Sequence, residues 1–419
     1  MLHADLLIRH AREILTCAGA APLTGLRQRD VSPLRHASIA SLAGRIVAVG
    51  PSTTLDTTIT LTPGARVIDA SACSIVPGFV DAHTHAIFAG DRRDELRRRL
   101  AGATYAEIAT AGGGILATVV ATRAASEDDL VDQTRARLDE MLSAGTTTCE
   151  IKSGYGLDLD SEMKMLRVAR RLQSAHPIDL ATTFMGAHEV PPEYRSNRGG
   201  YVDLVVNEMI PAVAGEGLAE WCDVFCEDGV FTPSESERIL EAGAARGLKP
   251  RIHADELGAS GGSQVAARIG ARSADHLIFV PQDGIDAMGR AGVTATLLPN
   301  AAFYLKLGRY APARTLIDAG VAVALGTDVN PGGGFSPSMP FALSLACFAM
   351  NLTFEEALVA ATVNGAWSLD RADEVGSLET GKLMDAVLVR GDAINLIRNG
   401  APSIVAVIKR GQNVRGWDT

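Results

Sequence analysis

The sequence predicts an α/β protein: a (β/α)8 barrel of the TIM type with a small β-sandwich domain built from the N- and C-terminal segments. Two observations support this fold class. Apolar segments with strand character alternate with amphipathic helical segments through the middle of the chain, and short strand-like segments stand at both ends. Strands that alternate with helices form a parallel sheet, and eight such units over roughly 250 residues close into a barrel.

Eight segments of the middle region have the apolar character and the length of buried strands. They cover residues 75–85, 146–152, 178–188, 222–227, 249–255, 274–280, 293–299 and 321–328. Helical periodicity lies between several of them, at residues 127–144, 161–174, 234–246 and 261–270, and again after the last strand, at residues 339–369. Ser126 precedes three acidic residues, which is a typical helix start.

Both ends of the chain carry short strands punctuated by glycine and proline. The predicted strands cover residues 4–8, 13–16, 38–40, 45–49 and 66–69 before the barrel, and residues 381–389 and 404–414 after it. We predict a composite β-domain of residues 1–74 and 376–419, with the barrel at residues 75–375, because chain ends often lie close together. Residues 18–36, rich in Ala, Pro, Gly and Arg, are expected to form a surface excursion.

Composition excludes several classes of function. The chain has 419 residues, of which 47% are hydrophobic and 21% charged, and its net charge is −10. The acidic balance argues against a nucleic-acid partner. The longest uncharged apolar stretch is too short to span a bilayer, and the first residues lack the apolar core of a signal peptide. Six scattered cysteines argue against a disulfide framework, so we expect a cytoplasmic protein.

Two histidines close the first predicted barrel strand, as His83-Thr-His85. Side chains two residues apart on a strand share a face, so both imidazoles point the same way. Such a pair suits a metal ion of the zinc type, although two hydrogen-bonded core histidines are the alternative. Further candidates stand at the ends of strands five and eight, where a barrel has its active site. The predicted ligands are His83, His85, His253 and Asp328. Strand four lacks the lysine that could bridge a second metal, which favours a single ion.

Two more residues near the strand ends are candidates for general acid and base catalysis, alongside the metal-bound Asp328. Glu256 follows His253 by three residues, and His276 ends strand six. Glu256 could instead be a helix N-terminal carboxylate, since residues 257–270 look helical. His276 could instead orient Asp328 or another ligand.

Polar residues on the predicted loops are candidates for substrate binding. Arg92 offers a guanidinium fork for a carboxylate, whereas the other basic residues up to Arg99 are interleaved with acids and are expected to form a solvated helix face. The further candidates are Tyr105, Tyr155, His188, Asn330, Gly332 and Gly333. The glycine run at residues 111–114 could be a lid or a backbone contact to ligand, and both glycine runs could equally be tight turns.

Nearly the whole chain resembles the amidohydrolase superfamily and, within it, the imidazolonepropionase family. The resembling segments are Pro77-Gly-Phe-Val-Asp-Ala-His-Thr-His-Ala-Ile-Phe-Ala-Gly-Asp-Arg, Ala111-Gly-Gly-Gly-Ile with Thr122-Arg123 after it, Glu150-Ile-Lys-Ser-Gly-Tyr-Gly-Leu, Phe184-Met-Gly-Ala-His-Glu-Val-Pro, Asp223-Val-Phe-Cys-Glu, His253-Ala-Asp-Glu, Gly326-Thr-Asp-Val-Asn-Pro-Gly and Gly381-Lys-Leu-Met-Asp-Ala-Val-Leu-Val. Family members hydrolyse the cyclic amide bond of 4-imidazolone-5-propanoate to give N-formimidoyl-L-glutamate in L-histidine degradation, with one Zn²⁺ or Fe ion. The resemblance also implies a homodimer.

The resemblance implies a role for each matching position. The ligand positions match the four predicted above, and Arg92, Tyr155 and His188 match positions that contact substrate. Glu256 matches the residue that meets the imidazolone ring, and Asn330 and Gly332 match positions that hold the product. Members often have Ser or Thr where this chain has Gly333, so a hydroxyl contact is lost there.

Two other functions remain open from the sequence. A mononuclear deaminase of a purine or pyrimidine would use the same metal ligands, but Arg92 and Tyr155 suit a substrate with a carboxylate better. A barrel that had lost catalysis would be expected to lack ligands, and none is missing here.

Overall fold

The computed structural model describes residues 1–103, 107 and 113–416, and within them a barrel of eight parallel strands stands beside a mixed sheet. The strands, in chain order, are β1 (Leu2–Leu15), β2 (Pro33–Leu42), β3 (Arg45–Pro51), β4 (Ile59–Asp69), β5 (Cys73–Pro77), β6 (Phe79–Asp81), β7 (Thr146–Lys152), β8 (Asp179–Ala187), β9 (Trp221–Cys226), β10 (Lys249–Ala254), β11 (Ser273–His276), β12 (Thr294–Leu297), β13 (Val323–Leu325), β14 (Ala386–Arg390), β15 (Ile404–Lys409) and β16 (Gln412–Gly416).

Strands β6 to β13 pair in sequence order, each in parallel with the next, and form the barrel. The remaining strands form one sheet from both chain ends, in the order β16-β15-β14-β5-β1-β2-β3 with β4 beside β1. We call it the terminal sheet. The predicted fold class is confirmed, whereas the domain boundaries at residues 75 and 375 stay a prediction.

The first helix, Ser52–Thr58, packs on the terminal sheet, and the others lie between the barrel strands or follow the last of them. The helices span Ser52–Thr58, Arg93–Leu100, Ile115–Ala124, Glu127–Ser143, Leu159–Ala175, Arg198–Leu204, Ile210–Gly215, Pro233–Ala244, Gly262–Ile269, Gln282–Ala291, Pro299–Tyr304, Ala313–Asp318, Met339–Ala349, Phe354–Ala360, Val363–Ser368 and Asn395–Arg398. Ser126 caps its helix in a capping box with Asp129, as its position predicts. Among the described helices, none has the length and apolarity needed to cross a membrane.

The segment predicted as one strand, residues 75–85, is divided between the two sheets. Strand β5 pairs with β1 and β14 in the terminal sheet, and β6 pairs with β7 in the barrel. Gly78 stands at the crossing, where a Cβ atom would lie 2.3 Å from Thr147 Oγ1. His83 and His85 follow β6 and lie outside any strand, so the prediction that they are on the strand is wrong. The chain passes from one sheet to the other within a single apolar run, and the apolar pattern gives no sign of this change.

The barrel closes where the segment after β6 meets the segment after β13. Thr327 donates from N and Oγ1 to the Asp81 carboxylate, at 2.9 and 2.6 Å. The backbone N–H of Asp328 donates to the carbonyl of His83 at 3.0 Å. These bonds bring the first predicted ligand and the last one side by side.

Residues 18–36 lie mostly at the surface, as predicted, but three of them, Leu23, Gln28 and Val31, are buried. The Gln28 side chain is fully buried and exchanges two hydrogen bonds with the backbone of Val323, at 3.1 and 3.2 Å. The N–H of Leu23 donates to Asn364 Oδ1 at 2.9 Å. These hydrogen bonds attach the segment to the start of β13 and to the helix that carries Asn364.

Candidate active site at the carboxyl end of the barrel

A cavity of about 420 Å³ opens at the carboxyl ends of the barrel strands. It brings together most of the residues predicted from sequence: His85, Arg92, Tyr155, His188, His253, Glu256, His276, Asp328, Asn330, Gly332 and Gly333. His83 is fully buried behind His85. Tyr105 and residues 111–112 of the glycine run lie outside the described residues. The fold thus assembles one site from segments spread over some 250 residues of sequence.

Three histidine rings converge on one point. The Nε2 atoms of His83 and His85 are 3.3 Å apart, and those of His85 and His253 are 3.2 Å apart. A carboxylate oxygen of Asp328 lies 3.5 Å from His83 Nε2 and 3.7 Å from His85 Nε2. Nitrogen atoms this close, with one carboxylate beside them, have the composition of a catalytic metal site.

The outer nitrogens of two of these rings are held by carboxylates that the sequence analysis did not single out. His83 Nδ1 lies 2.7 Å from Asp275 Oδ2, and His253 Nδ1 lies 3.0 Å from Asp223 Oδ1. An acceptor at Nδ1 places the proton there and leaves the Nε2 lone pair facing the centre. Both carboxylates stand on the barrel strands, at positions whose side chains face the interior. Strand alternation is the signal that could have found them.

The charge states at the centre also fit a metal ion. Burial holds the pKa values of the His83 and His85 imidazoles well below their usual range, so both rings are neutral, as ligation requires. Burial raises the pKa of the Asp328 carboxyl to about 8, so its ionised form gains from a nearby cation. Neutral imidazoles and one carboxylate therefore make a donor set that suits a divalent ion.

Glu256 and His276 stand beside this centre and face each other. His276 Nδ1 is 3.5 Å from Glu256 Oε1. Burial raises the pKa of Glu256 and lowers that of His276. The next helix begins only at Gly262, so Glu256 is not a helix N-terminal carboxylate. Its loop is instead held by Glu227, whose carboxylate accepts the N–H of Glu256 at 3.0 Å.

Backbone strain marks two of these positions. His276 has φ of 73° and Asp328 has φ of 51°, in the left-handed region that residues other than glycine rarely adopt. Such conformations persist where surrounding contacts impose them, and they concentrate at functional sites.

Arg92 lies on the cavity wall with its guanidinium already engaged on one side. Its Nε and Nη2 donate to the Glu95 carboxylate at 2.9 and 2.7 Å, and the other oxygen of Glu95 accepts the N–H of Gly114. Arg99 also lines the cavity and is only 6% exposed, with bonds to the carbonyls of Tyr304 and Gly332. The prediction of a solvated helix face is therefore wrong for Arg99, because its side chain turns back toward the barrel.

The side chain of Asn330 holds the loop that follows Asp328. Asn330 Oδ1 accepts the N–H groups of Gly332 and Gly333 at 2.8 and 2.6 Å. A Cβ atom on Gly332 would lie 2.1 Å from Arg92 Nη1, whereas one on Gly333 would meet only the Leu305 side chain, at 3.4 Å. A side chain at position 332 would therefore displace the Arg92 guanidinium, whereas one at position 333 would meet only an ordinary to tight contact with Leu305.

Tyr155 and His188 line the cavity beside His85. The His188 ring stacks on His85 with centroids 4.8 Å apart, and Tyr155 lies 5.2 Å from His188. His188 Nδ1 is 3.0 Å from the carbonyl of Gly154, and burial lowers its pKa to about 3. Glu162, also missed from sequence, clamps the Tyr155 loop by accepting three backbone N–H groups.

Comparison with known proteins places the chain in a family. The Amidohydrolase family matches residues 74–414. An imidazolonepropionase of Symbiobacterium thermophilum is 49% identical over 415 residues, covering 98% of this chain and 97% of the relative. One of Geobacillus kaustophilus is 50% identical over 386 residues, covering 91% of each.

The chain belongs to the imidazolonepropionase family. As an imidazolonepropionase-family amidohydrolase, it is a hydrolase that acts on a carbon–nitrogen bond. The alternative of a purine or pyrimidine deaminase is not favoured by these relatives. Family membership and the three-histidine cluster together indicate a metal cofactor.

Solved structures of more distant proteins have a similar fold. A mutant of the atrazine chlorohydrolase TrzN from Arthrobacter aurescens TC1, complexed with zinc and atraton, has a TM-score of 0.75 at 20% identity, over 98% of this chain and 95% of that one. An adenosine deaminase from Xanthomonas campestris with bound zinc has a TM-score of 0.70 at 19% identity, over 99% and 94%. At this identity the likeness concerns the fold.

Proposed function

We propose that this chain hydrolyses 4-imidazolone-5-propanoate to N-formimidoyl-L-glutamate, a step of L-histidine degradation. The observation that carries the proposal is one cavity with a carboxylate-binding guanidinium and a metal-ligand cluster on its walls. Relatives named imidazolonepropionase, at about half identity over most of the chain, support it.

In this proposal, four residues hold one zinc or iron ion: His83, His85, His253 and Asp328. Once bound, the ion supplies activation of water and polarisation of the ring carbonyl. Asp275 and Asp223 keep the Nε2 atoms of His83 and His253 turned inward, as their contacts at 2.7 and 3.0 Å support. Dialysis of the purified protein against a chelator is expected to abolish activity, and one equivalent of metal is expected to restore it.

The reaction adds the oxygen of water to the ring carbonyl carbon, breaks the bond from that carbon to the ring nitrogen, and leaves a proton on the nitrogen. Glu256 and His276 are the pair that moves this proton, because they face each other at 3.5 Å beside the metal ligands.

Binding of the substrate divides between its two ends. Arg92 binds the propionate carboxylate through Nη1, since Glu95 occupies its Nε and Nη2. Tyr155 and His188 contact the ring, and Tyr105 is a further candidate. Asn330, Gly332 and Gly333, which line the cavity, hold the product.

An assay of the metal-loaded protein against a substrate panel tests the proposal. We expect kcat/KM for 4-imidazolone-5-propanoate to exceed that for cyclic amides without a carboxylate and for aminopurines. Arg92→Met should lower kcat/KM for the propanoate by about 10²-fold, the scale of one charged hydrogen-bonded contact, with little effect on 4-imidazolone itself. Arg97→Met is the matched control, because Arg97 lies on the helix that follows Arg92 and its side chain is 76% exposed. Faster turnover of an aminopurine would reject the proposal.

Two further parts of the proposal concern the whole molecule. A cytoplasmic location is supported by six cysteines without disulfides. Assembly as a homodimer stays a prediction, which sedimentation of the purified protein will test.

A further inference from the structure

Lys152 is a fully buried lysine that the proposed chemistry leaves without a role. It ends β7 and lies inside the barrel, below the metal ligands. Its ammonium donates to Glu150 Oε1 at 2.9 Å and to Asp223 Oδ2 at 2.7 Å. A charge buried this deeply costs free energy unless it is paired. The two carboxylates offset that cost, but they do not explain why a lysine occupies this position.

Each of the two carboxylates has a second oxygen that holds a different part of the metal site. Asp223 Oδ1 accepts from His253 twice, from the ring Nδ1 at 3.0 Å and from the backbone N at 3.2 Å. Glu150 Oε2 accepts the N–H of Thr84, the residue between His83 and His85, at 3.0 Å. One ammonium therefore connects the two chain segments that carry the three histidines.

The backbone of β7 reinforces this connection. The N–H of Lys152 donates to the carbonyl of Thr84 at 3.1 Å, and Thr84 Oγ1 donates to the carbonyl of Glu150 at 2.7 Å. Thr84 is thus tied to β7 by three hydrogen bonds, two of them to Glu150. This matters because His83 and His85 lie beyond the end of β6 and have no strand pairing of their own.

We propose that Lys152 is a positioning residue for the metal ligands, whose ammonium sets the spacing between His253 and the His83–His85 segment. The inference rests on the proposed function, because it assumes that these histidines hold the metal. It adds a determinant of metal affinity that touches neither metal nor substrate. Ligand geometry, rather than the stability of the barrel, is what Lys152 controls.

Lys409 provides a matched control elsewhere in the chain. It is also buried, and its ammonium also bridges two carboxylates, Asp179 at 2.7 Å and Asp385 at 2.6 Å. It stands on β15 of the terminal sheet and contacts none of the predicted ligands. Replacing either lysine by methionine removes a buried ammonium from two carboxylates, so a general effect of that loss should be the same in both variants.

The test compares zinc binding to the full-length wild type, Lys152→Met and Lys409→Met, by competition with a chromophoric chelator. Lys152→Met should weaken zinc binding about 10–100-fold, the usual effect of losing a partner behind a ligand. Lys409→Met should stay within about twofold, as expected for a remote site. The visible spectrum of the cobalt-substituted protein should change only in Lys152→Met, because it reports the ligand arrangement.

Equal zinc affinity in Lys152→Met and wild type would overturn the inference and leave the proposed function standing. Wild type that binds no zinc, or binds it equally after His253→Ala, would overturn the metal site itself. If Lys152→Met does not fold, the zinc affinity of Glu150→Gln tests the inference instead. Both partners of Glu150 are donors, Lys152 Nζ and Thr84 N, so one amide cannot satisfy both. Unchanged zinc affinity in that variant would also overturn the inference.

Discussion

The terminal sheet and the barrel both have interiors that are inaccessible to solvent, but the side chains that fill the two interiors differ in polarity. The terminal sheet buries aliphatic side chains, such as Leu6, Ile39 and Leu388. The barrel strands bury ionisable side chains that are completely inaccessible, among them Glu150, Lys152, Asp223, Arg251 and Asp275. Hydroxyls fill other interior positions of the barrel, where this fold usually has branched aliphatic residues.

This difference indicates that the two interiors contribute differently to the stability and to the function of the protein. Burial of aliphatic side chains stabilises a fold in proportion to the area removed from water. Buried ion pairs contribute little net stability, because desolvation offsets their attraction. In the barrel the charges stand behind the ligands instead: Asp275 holds His83 and is itself contacted by Arg251, at 3.3 Å. We therefore expect substitutions in the barrel to alter function and those in the terminal sheet to alter stability.

The largest effect is expected from Glu256→Gln, at the top of the barrel. It removes a group that exchanges a proton but keeps its size, so kcat should fall by about 10²–10⁴-fold. Metal content and the thermal midpoint should stay near those of wild type. Steady-state kinetics with metal analysis check both expectations, and full activity in the variant would exclude Glu256 from proton transfer.

Leu388→Ala, in the terminal sheet, should lower the stability of the protein and leave its turnover unchanged. Leu388 is fully buried in β14, so its truncation should lower the free energy of unfolding by about 2–5 kcal/mol. Turnover per folded molecule should be unchanged. Thr296→Val, in the barrel interior, is the comparison: its hydroxyl has no partner among the described residues, so the change should be below about 1 kcal/mol. Equal losses in denaturant unfolding would remove the contrast between the two interiors.

Asp275→Asn should weaken metal binding by about 10–100-fold, because the acceptor behind His83 loses its charge. Asp139→Asn is the matched control, since Asp139 also contacts a histidine, His176 at 3.2 Å, away from the cavity. Chelator competition with zinc measures both variants. A comparable loss in Asp139→Asn would show that the effect is not specific to the barrel interior.

The smallest effect concerns the glycine loop. Gly332→Ala should displace Arg92 Nη1, which would lie 2.1 Å from the new Cβ atom, and should raise KM by about tenfold. Gly333→Ala meets only Leu305, so its KM should change little. Steady-state kinetics with 4-imidazolone-5-propanoate separate the two. If both variants behave alike, the close approach to Arg92 does not govern carboxylate binding.

Much of the fold and of the site's residue set follows from local patterns. Strand β7 has the predicted bounds, Thr146–Lys152, because an apolar run between helices leaves few alternatives. The rule that a barrel's active site lies at the carboxyl strand ends then placed His83, His253 and Asp328 together. Periodicity and strand order are properties of short segments, and the sequence alone suffices for them.

Other features depended on contacts between distant residues. Lys152 meets Asp223 across 71 positions of sequence, and Gln28 meets Val323 across 295. Arginine side chains are usually exposed, but Arg99 is buried and donates a hydrogen bond to the loop that carries Gly332.

The sequence by itself determined the barrel, its strand order and most of the residues that line the cavity. Only the tertiary structure decided where the first apolar run passes between sheets, and which charges stand behind the histidines. The physical reason is that strand and helix periodicity arises within a segment. Burial and pairing of a charge depend on what the other segments place beside it.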